Sequence, residues 1–73
     1  MERYRNLHGS SGVEAYAFTP TSILIRFRGS GRIYEYSHRS AGAGNVREMK
    51  RLAQAGRGLS TFISTHVSER YER

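Results

Sequence analysis

The chain has 73 residues, of which 37% are apolar and 25% charged, enough for one folded domain and too apolar for wholesale disorder. It has no cysteine, which excludes disulfides and thiolate metal sites and gives no pointer to an oxidising compartment. Twelve basic residues against six acidic ones leave a formal charge of +6, and all the basic residues but Lys50 are arginine.

Arginine's planar fork suits phosphate and stacks on aromatic faces. A pI near 10.5 in so small a chain fits a polyanionic partner, and it fits a plain solvated basic surface equally well. No apolar run reaches the roughly 18 residues of a membrane span. The stretch "MERYRNLHGSSG" lacks the apolar core of a signal peptide. A cytoplasmic setting is therefore expected.

Residues 1–10 read as a polar, flexible lead-in, and residues 11–71 as a single domain. "VEAYAFT" from Val13 predicts a first strand, closed by Pro20, which cannot donate to a ladder. Either Val13, Ala15 and Ala17 or Glu14, Tyr16 and Phe18 would face inward. "SILIRFR" alternates Ile23, Ile25 and Phe27 against Leu24, Arg26 and Arg28, the pattern of a strand with one apolar face. "GSG" is a turn signal, and "RIYEYS" is the third strand.

The hairpin register follows from charge and burial. A two-residue loop at Ser30-Gly31 sets Phe27 opposite Tyr34 and Ile25 opposite Tyr36. A three-residue loop would set Arg28 against Arg32 and bury Glu35, and both are unfavourable. Tyr34 and Tyr36 are therefore expected on the face of Ile23, Ile25 and Phe27, as core residues more than as a base-stacking platform. The other face would carry Arg26 beside Glu35, with Leu24, Arg28 and Ile33.

Asn45 with Glu48 three residues later reads as a capping box, although the helix has room to begin near Ser40. Val46, Met49, Leu52 and Ala53 form its apolar stripe, and Gly56 is its stop. Arg47, Lys50, Arg51 and Gln54 lie on its solvent side. Leu59, Phe62, Ile63, His66 and Val67 form the stripe of a second helix, extended by Tyr71. The fold class expected is α+β: a three-stranded antiparallel meander covered on one face by two helices.

The order of these motifs resembles the KTSC domain. "SGVEAY", "ILIRF" with its glycine turn, "YEY", and "LAQAGRGLSTFI" with a late tyrosine carry the likeness, from Ser11 to Tyr71. That family is named for its place at the C-terminus of some lysyl-tRNA synthetases, and it has small standalone bacterial and phage-type members. Its Tyr-x-Tyr corresponds to Tyr34 and Tyr36. This chain has Phe18-Thr19 where the family often has Tyr-Asp, "SAGAG" where it often has Val-Pro, and Ser60 where it often has Asn. The family implies no established activity; the synthetase context implies RNA binding.

No catalytic pattern stands out. His8, His38 and His66 are scattered, without a carboxylate at informative spacing or a metal-ligand pattern. His66 reads as a core or boundary residue of the second helix. "GSG" lacks the Lys-Ser/Thr of a P-loop. "SAGAG" is either an anion-binding helix entry or a flexible connector, with the connector favoured. No enzyme activity, cofactor, metal or small-molecule substrate is expected.

The leading expectation is a non-enzymatic accessory domain that binds nucleic acid, RNA before DNA, by neutralising its backbone. The residues expected to do so are Arg26 and Arg28, with Tyr16 beside them on the open sheet face, and Lys50, Arg51 and Arg57 along the first helix. Arg26–Glu35 pairing is the plain structural alternative there. A protein-interaction module or small phage-related protein is the alternative function, and a hydrolytic enzyme the third.

Overall fold

The apolar alternation in Ser22–Phe27 places this strand at the centre of the structure. The computed structural model describes residues 1–73. Its sheet has four antiparallel strands in chain order: β1 (Glu2–Arg3), β2 (Val13–Thr19), β3 (Ser22–Phe27) and β4 (Ile33–Ser37). Helix α1 (His38–Ala41) and helix α2 (Ala43–Ala55) follow, then α3 (Leu59–Phe62), which runs on as a π-helical turn over Ile63–Val67.

The α+β class and the antiparallel order are as expected, but the sheet has four strands rather than three. The extra strand comes from the lead-in. Glu2 pairs with Tyr16 and Arg3 with Ala15. Tyr4, only 3% exposed, belongs to the core. Its hydroxyl accepts a hydrogen bond from the Leu59 backbone N–H at 3.3 Å. The Leu7 N–H donates to the Gly56 carbonyl at 2.7 Å. Residues 1–10 are thus built into the fold rather than appended to it, because one aromatic ring and a short backbone ladder tie them down.

Tyr34 and Tyr36 do share the face of Ile23 and Ile25. The pairing itself is shifted by two residues: Ile25 lies opposite Tyr34 and Ile23 opposite Tyr36. A two-residue shift keeps every side chain on its face, which is why the face was readable and the partners were not. The loop is longer than a tight hairpin, since Arg26 opposite Ile33 is the last pair before it.

A β-bulge resolves the ambiguity of the strand at Val13. Val13 pairs with Phe27, and Ala15 already pairs with Arg26, so Glu14 is the extra residue. Beyond the bulge the alternation changes phase. Val13, Tyr16 and Phe18 lie across from Phe27, Ile25 and Ile23 on the helix-covered face. Neither simple alternation holds along the whole strand.

The helices bury Val46, Met49, Ala53, Leu59, Ile63 and Val67 against Ile23, Ile25 and Tyr36. The capping box is not at Asn45. Ser37 caps α1, where the Ser40 N–H donates to the Ser37 Oγ and the Ser37 N–H donates to the Ser40 Oγ. Asn45 instead donates to the Ala41 carbonyl at 2.9 Å, across the joint at Gly42. Most of "SAGAG" is therefore helical.

Gly56 ends α2 with φ +78°, and a Cβ there would sit 2.9 Å from the Arg5 Cβ. Only glycine allows both the left-handed turn and the close approach of the N-terminal segment. The π-helical turn closes with the Ser68 N–H donating to the Ile63 carbonyl at 2.6 Å. It moves His66 outward: the ring is exposed and stacks on Phe62 at 4.2 Å, so His66 is not a core residue. Tyr71 then folds back against Tyr34 and Tyr36, with ring centroids 4.8 and 5.9 Å away.

Candidate nucleic-acid interface

The expected binding residues do not form one surface. Tyr16 lies on the helix-covered face, 9% exposed and stacked on Phe18 at 5.4 Å. It is across the sheet from Arg26 because the bulge changes the phase of its strand. Burial raises the Tyr16 pKa, with Glu2 adding to the rise and Arg5 opposing it.

Lys50 is not a solvated cation on the outer side of α2. Its Nζ donates to the Thr19 carbonyl at 2.7 Å and lies 5.4 Å from the Phe18 ring centre. This residue clamps α2 to the end of β2. Arg51 is held on its own helix by a two-pronged bond to Glu48, at 2.9 and 2.5 Å. The hydrogen bonds from Arg51 hold the Glu48 carboxyl below its ordinary pKa. Neither residue is a free phosphate contact.

Arg26 does lie on the open face, but its acidic neighbour is Glu14 rather than Glu35, which faces Leu24. The bulge projects Glu14 toward it. Arg26 Nε lies 3.3 Å from Glu14 Oε1 without hydrogen-bond geometry, and this shielded N–H has no other partner. The guanidinium is therefore only partly engaged. Arg28 is exposed beyond the end of β3, where its backbone N–H donates to the Gly12 carbonyl at 2.7 Å. Arg57 is exposed in the turn between α2 and α3.

Three adjoining clefts draw these residues together along the N-terminal segment. A cleft of about 200 Å³ has Arg3, Glu14 and Arg26 in its wall. A second, of about 260 Å³, shares Arg3 and Glu14 with it and adds Arg5 and Arg28. A third, of about 90 Å³, shares Tyr4 and Asn6 with the second and adds His8 and Arg57. Five arginines thus line three clefts that share wall residues, and Glu14 is the only carboxylate in their linings. The Arg5 guanidinium bonds to the Gln54 carbonyl at the C-terminal end of α2.

Arg26, Arg28 and Arg57 were legible as candidates. Arg3, Arg5 and His8 were missed because they sit in the segment read as a lead-in. The one signal there was Tyr4 between Arg3 and Arg5 in "ERYR", too short to mark a strand by alternation.

No group of His, Cys, Asp and Glu side chains is arranged to hold a metal ion. No helix is long and apolar enough to cross a membrane. Comparison with protein-family models, with curated proteins and with solved structures found no match to this chain.

Proposed function

We propose that the chain is a non-enzymatic, KTSC-like accessory domain that binds the phosphate backbone of a nucleic acid, RNA in the first place. The observation that carries this reading is the set of three clefts with shared wall residues, lined by Arg3, Arg5, Arg26, Arg28 and Arg57 and by a single carboxylate, Glu14. Each guanidinium presents a fork of donors suited to phosphate oxygens. Binding releases counterions and needs no base-specific contact. The preference for RNA rests on the motif order shared with the KTSC domain.

The revised set is Arg3, Arg5, Arg26, Arg28 and Arg57. Tyr16, Lys50 and Arg51 leave it, since none of them lines these clefts. The double variant Arg3→Glu, Arg28→Glu tests the reading by fluorescence anisotropy with a single-stranded RNA. Affinity should fall by tenfold or more, while Arg47→Glu on α2 should leave it within about twofold. Equal effects of the two variants would overturn the placement.

A protein-docking role is the second reading. Ile33, 52% exposed on the edge strand β4, favours it. A stoichiometric protein partner retained after nuclease treatment would select this alternative.

A further inference from the structure

The smallest of the three clefts differs from the others in its chemistry. Its walls carry Arg57, His8 and the hydroxyl residues Ser10, Ser11, Ser60 and Thr61, with no carboxylate and a single apolar residue. We infer that this pocket binds one terminal phosphate monoester of a nucleic-acid strand.

The loop that forms one wall is set by its own hydrogen bonds. The Ser11 N–H donates to Asn6 Oδ1 at 3.0 Å, the Val13 N–H to Ser11 Oγ at 3.1 Å, and the Gly9 N–H to the Asn6 carbonyl at 2.9 Å. The opposite wall, Gly58 to Thr61, is anchored through Leu59, which is fully buried and bonded to the Tyr4 hydroxyl. These hydroxyl-bearing residues therefore line a pocket with a fixed frame.

Size and chemistry select the ligand. About 90 Å³ is room for several waters, and so for a tetrahedral oxyanion. The cleft shares Tyr4 and Asn6 with the arginine-lined cleft beside it, where the rest of the strand would lie. A monoester carries more negative charge than a diester and three terminal oxygens, which match a guanidinium and several hydroxyl donors. The carboxylate-free lining disfavours cations. This inference rests on the backbone-binding reading, because the strand would lie along the adjoining arginines with its end in the pocket.

The test compares one single-stranded RNA bearing a 5′-phosphate, a 3′-phosphate or hydroxyls at both ends, with the full chain at low salt. One phosphorylated form should bind about tenfold more tightly than the hydroxyl form, and which one reports the strand's polarity. Arg57→Ala should remove that gain and lower affinity for the hydroxyl form only severalfold. Its melting temperature should be unchanged, since Arg57 is exposed. Binding that is equal for all three forms would overturn the pocket and leave the backbone reading intact. Should no RNA bind, the backbone reading falls, and titration with inorganic phosphate alone decides the pocket. Shifts confined to the Ser10, Ser11, Ser60 and Thr61 amides would support it, and none would end it.

Discussion

Tyr4→Ala would remove a ring that is only 3% exposed and that joins the N-terminal segment to the sheet and helices. Truncating a buried aromatic to alanine costs about 3–5 kcal/mol, the transfer and cavity contributions together. A chain of 73 residues is expected to have only about 4–11 kcal/mol of total stability. The substitution should therefore remove about a quarter of it or more. At about 4–8 °C per kcal/mol for a domain of this size, the melting temperature should fall by at least about 12 °C. Tyr4→Phe keeps the ring and loses only the acceptor for the Leu59 N–H. It should cost about 1 kcal/mol, or about 4–8 °C. Deleting residues 1–10 removes the ring and β1 together and should do at least as much harm as Tyr4→Ala. Thermal unfolding followed by circular dichroism separates the three. A truncated chain with an unchanged melting temperature would refute the inclusion of this segment in the core.

The remaining predictions concern the other end of the sheet and α2. Burial, with Tyr71 and Tyr34 adding to it, pushes the Tyr36 hydroxyl up to about 12. The unfolded chain loses this proton near pH 10 and the folded chain only near 12. Stability should thus be intact below pH 10 and fall by about 2–3 kcal/mol as pH rises from 10 to 12, and Tyr36→Phe should abolish that loss in denaturant titrations. Glu72 receives hydrogen bonds from Arg39 and Ser37, which hold its carboxyl below the ordinary range near 4.3. The docked tail should stay bound above that range and be released as pH falls through the lower folded value. Glu72→Gln should remove the acid step in hydrogen exchange at the Glu72 amide, which donates to the Glu35 carbonyl at 2.7 Å. Lys50→Met should lower stability by about 1–3 kcal/mol, through the lost Thr19 contact, and leave RNA affinity unchanged. Reduced affinity at full stability would return Lys50 to the binding surface.

The strand, helix and turn signals of residues 13–67 were largely readable because period-two and helical apolar spacing are local properties. The face of Tyr34 and Tyr36 followed from parity alone, whereas the two-residue register shift depends on the length of the loop after Phe27. The bulge at Glu14 could not be read from alternation, since it breaks the alternation on which such a reading depends. Tyr16 was misplaced for that reason. Arg51 is exposed as expected and Lys50 is half-buried against the end of β2, since whether a long side chain reaches solvent, a carboxylate or a neighbouring carbonyl is a tertiary matter. Two strand residues and one tyrosine tie the N-terminal segment into the fold, a signal too short to separate from a polar tail by composition.

Salt dependence of RNA binding tests the central claim most directly. Arg3, Arg26, Arg28 and Arg57, each neutralising one phosphate of a single strand while Arg5 stays bonded to the Gln54 carbonyl, should give a slope of log affinity against log salt of about −3. Affinity should then fall by about 50-fold between 50 and 200 mM salt. The variant Arg3→Ala, Arg28→Ala should reduce the slope by about 1.4, and Arg51→Ala should not change it. A slope near zero, or a slope that responds to Arg51 and not to Arg3 and Arg28, would contradict an arginine-lined backbone site along the N-terminal segment.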